Sequence, residues 1–224
     1  MRLFWASCIL ASLAAAAEPP PWMLWAWEQP MDFSFLAERK DVGVAYLAAT
    51  AFVDARGVKI RYRSAALTIP KSVYQMPVLR IEGREKPQDS TTLLRACNRL
   101  IRDGGGKLQI NFDAPPALRP IYGELITALK RIHGAKLFLS MTVLAGWCEQ
   151  AWFASLPADE RVPMLFRMGP AGRSVVRRLE QHRKFSSPAC QRSLGYSIDE
   201  DLAPRHGPIL CSIVTRAQRI DRSL

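Results

Sequence analysis

Several signatures that would name a chemistry outright are missing from this chain of 224 residues. Histidine is scarce, with three residues. His133, His182 and His206 form neither HExxH nor a Ser–His–Asp signature, so zinc-peptidase and serine-hydrolase readings find no support. The glycines make no GxGxxG and no P-loop. The run 104–106 precedes a strand-like segment, whereas a phosphate loop follows one, so nucleotide binding has no motif behind it. The cysteines contain no CxxC, which argues against a structural zinc site. Acidic residues are the minority, 20 against 31 Lys and Arg, for a net charge of +11. No zinc-finger, RRM or other nucleic-acid signature accompanies that excess, so no nucleic-acid partner is expected. No cofactor is implied. A divalent ion on Asp113, Asp199 or Glu200 is not compelled by any ligand spacing.

A globular composition is what the chain does have, at 49% hydrophobic and 23% charged residues, with length enough for one sizeable core. Its start, MRLFWASCILASLAAAAEPPP, reads as an export signal over 1–17. Arg2 supplies the positive end, Leu3 to Leu13 the apolar run, and Ala15 to Ala17 the small-residue cleavage site before Glu18. The apolar run is short for a membrane span, so no stable span is expected once the signal is removed. A single domain over 18–224 and a periplasmic or secreted location follow. Cys8 leaves with the signal. Cys97, Cys148, Cys190 and Cys211 then allow three complete pairings; Cys148 and Cys190, both near strand ends, are the favoured pair. Much of the positive charge sits in RSVVRRLEQHRK, 173–184, read as a helix with a solvated basic face.

Strand-like and helix-like segments alternate along the mature chain. Strands are read at 22–29, 42–53, 76–83, 107–114, 135–148, 161–169, 193–200 and 208–214. Helices are read at 30–39, 89–106, after Pro115 to Gly134, within 149–160, and at 173–184. Such alternation implies a mostly parallel sheet with right-handed crossovers. Eight candidate strands suit a small, irregular (β/α)8 TIM-type barrel; an open, mostly parallel α/β sheet is the alternative.

One strand breaks the apolar rule. In KLQINFDA, Gln109, Asn111 and Asp113 alternate with Leu108, Ile110 and Phe112, and residues two apart share a face. The inward face of this strand therefore carries two amides and a carboxylate. In a barrel, functional side chains gather at the C-terminal strand ends, and there the sequence places Glu82, Asp113, Asp199 and Glu200, with Arg80 on the face of Glu82 and Arg167 ending the sixth strand. Glu28, at the end of the first strand, is the weakest candidate. Trp25, Trp27 and Trp147 are read as flanking the site. Acids with indoles suit carbohydrate: sugar rings stack their C–H faces on aromatic rings, and a carboxyl pair can cleave a glycosidic bond. Asp113 with Glu82 or Asp199 is the expected catalytic pair. Trp25, Trp27, Arg80, Gln109, Asn111, Trp147, Arg167 and Glu200 are the expected substrate contacts.

The stretches WAWEQPMDFSFL, GVAYLAAT, PVLRIE, LQINFDAP, LSMTVLAGWC, VPMLFRMG and LGYSIDE, in order over most of the mature chain, resemble the bacterial domain-of-unknown-function family three-one-four-two. The resemblance implies an exported, barrel-shaped protein distantly similar to glycoside hydrolases. Asp113 and Asp199–Glu200 match that family's pattern, whereas Asn111 stands where the pattern favours aspartate, one carboxylate fewer. The expected function is that of an exported glycoside-hydrolase-like protein acting on a polysaccharide or cell-wall glycan. The alternative is a non-catalytic barrel that binds a glycan.

Overall fold

The computed structural model describes residues 16–166, 168, 172–182 and 184–197, and the backbone of 212–214. The expectations placed on residues 1–15, Arg167, Asp199, Glu200 and Cys211 lie outside the described residues.

The spine of the sheet is β3 (Val42–Asp54). Its near-continuous apolar run reflects burial on both faces. Val42 and Val44 pack with Leu24, Ala26, Phe33 and Leu36 on one side, and Ala45 packs with Met23, Trp25, Met76 and Val78 on the other. β1 (Trp22–Ala26) pairs in parallel with the first half of β3, from Trp22↔Val42 to Ala26↔Tyr46. β6 (Tyr74–Gly83) pairs in parallel along its other edge. At Asp54 the chain turns back into β4 (Gly57–Tyr62), the antiparallel partner of the second half of β3. Asp54 Oδ1 accepts a hydrogen bond from the Arg56 N–H at 2.8 Å, and Gly57, at φ 140°, supplies the backbone angle that closes the turn.

From β6 the sheet continues through β7 (Lys107–Asp113), β8 (Phe138–Leu144), β9 (Glu160–Met164), the two-residue β10 (Leu194–Gly195) and β11 (Ser212–Val214). Every pairing in this series is parallel. The order is β1-β11-β10-β9-β8-β7-β6-β3-β4, and β1 pairs with β3 as well as β11. The fold is thus mixed α/β, built on a mostly parallel and strongly curled sheet, as the alternation of segments implies.

α1 (Thr91–Asp103) turns Leu93, Ala96, Cys97, Leu100 and Ile101 inward, a spacing that makes one face of a helix. Asp89 Oδ1 takes the Thr91 N–H at 2.8 Å and fixes its entry. Gly105 and Gly106, at φ 60° and 85°, end it. α2 (Arg119–His133) buries Ile121, Tyr122, Leu125, Ile126 and Leu129. Pro120 falls in its first turn, where no intrahelical N–H is needed. Both helices pack on Leu79, Ile81, Leu108, Ile110, Phe112, Leu139, Met141 and Val143, the outward row of β6, β7 and β8. α3 (Ala151–Ala154) is a single turn, and α4 (Gly172–His182) is the basic helix. No helix among the described residues is long and apolar enough to cross a membrane.

Three segments differ from their sequence reading. The helix expected at 30–39 is a two-residue strand, β2 (Met31–Asp32), paired with β5 (Leu67–Thr68), followed by one 3-10 turn. Asp32 Oδ1 accepts from both the Ser34 N–H and the Ser34 hydroxyl at 2.8 and 2.5 Å, so the side chain competes with the backbone bonds a longer helix needs. The strand expected over 135–148 ends at Leu144 and gives way to a 3-10 segment at Ala145–Glu149. The strand expected over 193–200 pairs only at Leu194–Gly195. Cys148 and Cys190 form the expected disulfide, with Cα atoms 6.0 Å apart. Cys97 is a free, buried thiol, and burial pushes its pKa up to about 12.

Candidate functional site

Register decides which side chains meet on the inward face. Arg80, Asn111 and Thr142 are partners across β6, β7 and β8, and Glu82 pairs with Asp113 one layer nearer the C-terminal strand ends. One layer below, Val78, Gln109, Ser140 and Glu160 follow one another across β6 to β9. A β-bulge between Leu47 and Ala49 changes the parity of β3, so Ala45 and Leu47 share the inward face with Thr50, which pairs with Arg80.

The upper layer is an ion-pair cluster. The Arg80 guanidinium donates to Asp113 Oδ2 through Nη2, and its Nε lies 3.0 Å from Glu82 Oε1. The Trp27 ring sits against the same guanidinium, 5.5 Å from ring centre to Cζ, and meets the Trp25 ring edge-on at 4.7 Å. Arg80 thus anchors two carboxylates and an indole. All three charged side chains remain partly open to solvent, Asp113 most of all at 60%. Asn111 is different: it is 5% exposed, and its side-chain amide makes no hydrogen bond among the described residues.

The lower layer is a buried hydrogen-bonded chain. Trp25 Nε1 donates to Gln109 Oε1 at 2.8 Å, and Gln109 Nε2 donates to Ser140 Oγ at 2.9 Å. Ser140 Oγ donates to Glu160 Oε2 at 2.5 Å, and Ser193 Oγ to Glu160 Oε1 at 2.7 Å. Glu160 is 8% exposed and has no ion-pair partner among the described residues. Burial holds its carboxyl above the ordinary carboxylate range, and the two serine hydroxyls only partly oppose that.

Beside these layers lies a small cleft lined by Trp25, Thr142, Val162, Met164, Phe166 and Gly195, with about 200 Å³ of space including its open end. Its exposed lining is apolar. Thr142 turns its hydroxyl away, toward the Ile110 carbonyl at 3.5 Å.

Of the residues singled out in the sequence, Arg80, Glu82, Asp113 and Trp27 come together at the strand ends, with Asn111 directly beneath. Trp25 and Gln109 lie deeper, and they satisfy each other. Trp147 does not join them. It is 5% exposed in the outward core, against Phe112, Trp152 and Phe153, because the 3-10 segment after Leu144 turns it back over the helix side, where Arg119 covers it. Glu28 is tied to the 63–65 loop: its Oε1 accepts the Ser64 N–H at 3.0 Å, and that bond, with Arg63 and Arg61 nearby, lowers its pKa. No group of three metal-binding side chains is found among the described residues. The sequence reading missed Glu160, assigning it to the end of a short helix. Local pattern gave no signal for it: Glu160 is followed by the charged Arg161, and Val162 and Met164 on its own face are apolar.

Comparison with family models, curated proteins and solved structures returned no match to this chain.

Proposed function

We propose that this protein is an exported glycan-binding barrel of the (β/α)8 type, whose strand-end mouth holds a sugar without hydrolysing it. The observation that carries the reading is the cluster in which one arginine, Arg80, engages both Glu82 and Asp113 beside the Trp27 ring. A rigid fork of donors and acceptors next to an indole is what a sugar requires. Vicinal hydroxyls bridge the charged groups, while the C–H face of the ring lies on the aromatic surface. Hydrolysis asks for something else, one carboxyl that delivers a proton and a second that acts as base or nucleophile. Here both acids face the same guanidinium. The barrel reading is supported by β1, which pairs with β3 on one side and β11 on the other. Export is supported by the signal-like start and by the Cys148–Cys190 bridge, a bond favoured in oxidising compartments.

A glycan array probed with the protein, run beside a hydrolysis screen on the bound sugars, tests this. Binding without product release, weakened in Arg80→Ala, is the expected result. Turnover that disappears in a folded Asp113→Asn variant would overturn the non-catalytic reading and make Asp113 a catalytic acid. No binding to any arrayed glycan would remove the glycan reading altogether.

A further inference from the structure

We infer that the mouth contains a subsite for an acetamido group, so that the glycan bound is one bearing N-acetylated amino sugars; this rests on the glycan reading above. Two neighbouring features point to it independently. The first is the cleft between Trp25, Thr142, Val162, Met164, Phe166 and Gly195, apolar in its exposed lining and small enough to suit a methyl-bearing substituent better than a sugar ring. The second is Asn111, buried to 5% exposure with an amide that has no partner among the described residues. Asn111 and Thr142 are register partners on adjacent strands and face the same way, which sets them one inter-strand spacing apart, about 4.8 Å.

An acetamido group has the complementary halves. Its methyl enters an apolar cleft, and its amide N–H and carbonyl meet the carboxamide of Asn111, which offers both a donor and an acceptor. The other common sugar substituents fit worse. A hydroxyl leaves the apolar space unfilled. A carboxylate or sulfate finds no cation among the described residues of the cleft lining, and the Arg80 guanidinium, on the same inward face, is already held by two acids. An alkyl chain fills the cleft but offers the Asn111 amide neither a donor nor an acceptor.

Gly195 gives the inference a clean handle. A Cβ there would stand 3.5 Å from Val162 Cγ1 and 3.6 Å from Phe166 Cε1, ordinary contact distances. Gly195→Ala therefore folds and narrows the cleft.

The experiment uses matched sugars that differ only in 2-acetamido against 2-hydroxyl, across the linkages of the array, with affinities of the hits measured by calorimetry. The acetamido member should bind about tenfold more tightly, the factor that one buried methyl and one net hydrogen bond supply together. Gly195→Ala and Asn111→Ala should each bring that ratio close to one. Equal binding of matched members by the unaltered protein would overturn the acetamido subsite and leave the glycan reading standing. A preference that survives in both folded variants would overturn it too. Absence of binding to every sugar would remove both readings.

Discussion

Replacing Glu160 by glutamine asks whether the interior carboxyl is held neutral. The carboxyl lies beneath the site with only Ser140 and Ser193 as hydrogen-bond partners. No cation lines it among the described residues. The Tyr74 phenol, which feels the Glu160 charge, bonds the Ala17 carbonyl and lies under the Lys107 ammonium, which is 4.8 Å from its ring centre. Burial raises the folded-state pKa of Glu160 above the ordinary 4.5. The sign follows. Below 4.5 both the folded and the unfolded chain carry the proton, and the group contributes no pH dependence. Above 4.5 the unfolded chain loses its proton first, so stability falls as pH rises until the folded value is passed, and then the loss is constant. Within that window the slope approaches about 1.4 kcal/mol per pH unit.

An amide of the same shape has no proton to lose. Glu160→Gln should therefore gain stability relative to the unaltered protein as pH rises above the ordinary carboxyl value of 4.5, at a slope of up to about 1.4 kcal/mol per pH unit, until the folded-state value is passed. Any fixed cost of the exchange shifts that difference curve without tilting it. Urea unfolding followed by tryptophan fluorescence, at constant ionic strength, measures both proteins at each pH. Parallel curves would falsify the neutral-carboxyl assignment. A variant that loses ground as pH rises would show instead that a buried carboxylate charge supports the fold.

Removing the Cys148–Cys190 bridge by a double serine exchange should cost about 4 kcal/mol, the chain-entropy value for the observed separation of 42 residues; denaturant titration with and without reductant reads it. Trp25→Phe keeps an aromatic ring but removes part of a buried indole and leaves Gln109 Oε1 without its donor, so unfolding free energy should fall by at least about 1–3 kcal/mol, and a smaller fall would show the bond to be dispensable. Arg80→Gln should weaken glycan binding about tenfold or more yet change stability by less than about 1 kcal/mol, because its ion pairs are open to solvent; a large fall in melting temperature with unchanged affinity would reverse that assignment. Cys97 should resist alkylation in the folded protein, as peptide mapping after brief iodoacetamide treatment would show, since burial holds its pKa up at about 12.

The parts of the fold that could be read from the sequence are those where local pattern and tertiary environment agree. β7 shows this best. Its strict alternation of Leu108, Ile110 and Phe112 with Gln109, Asn111 and Asp113 matches one face under α1 and α2 and one face toward the interior. α1 and α2 were legible from apolar spacing and from their glycine ends. The segment 30–39 was not, because Asp32 takes the Ser34 donors before a helix can form. Nor was Trp147 legible as outward, since a 3-10 segment rotates side chains by a different angle from the strand that precedes it.

β3 shows why an inward row cannot be completed by alternation alone. Counting by twos from Ala45 through Leu47 assigns Ala49, Ala51 and Val53 to the interior and Thr50 to the helices. The bulge after Leu47 inserts one residue, and Ala49, Ala51 and Val53 then pack in the outward core while Thr50 meets Arg80 across the strands. Nothing in VGVAYLAATAFV marks the insertion, for small apolar residues are tolerated on either face. The polar layer at the mouth therefore depends on a feature set by pairing rather than by composition. The same holds for Glu160, whose neighbours Ser140 and Ser193 are distant in the chain and near only through register. Alternation on one strand identified the row, but the partners that make it a site came from strands whose registers are fixed only when the sheet forms.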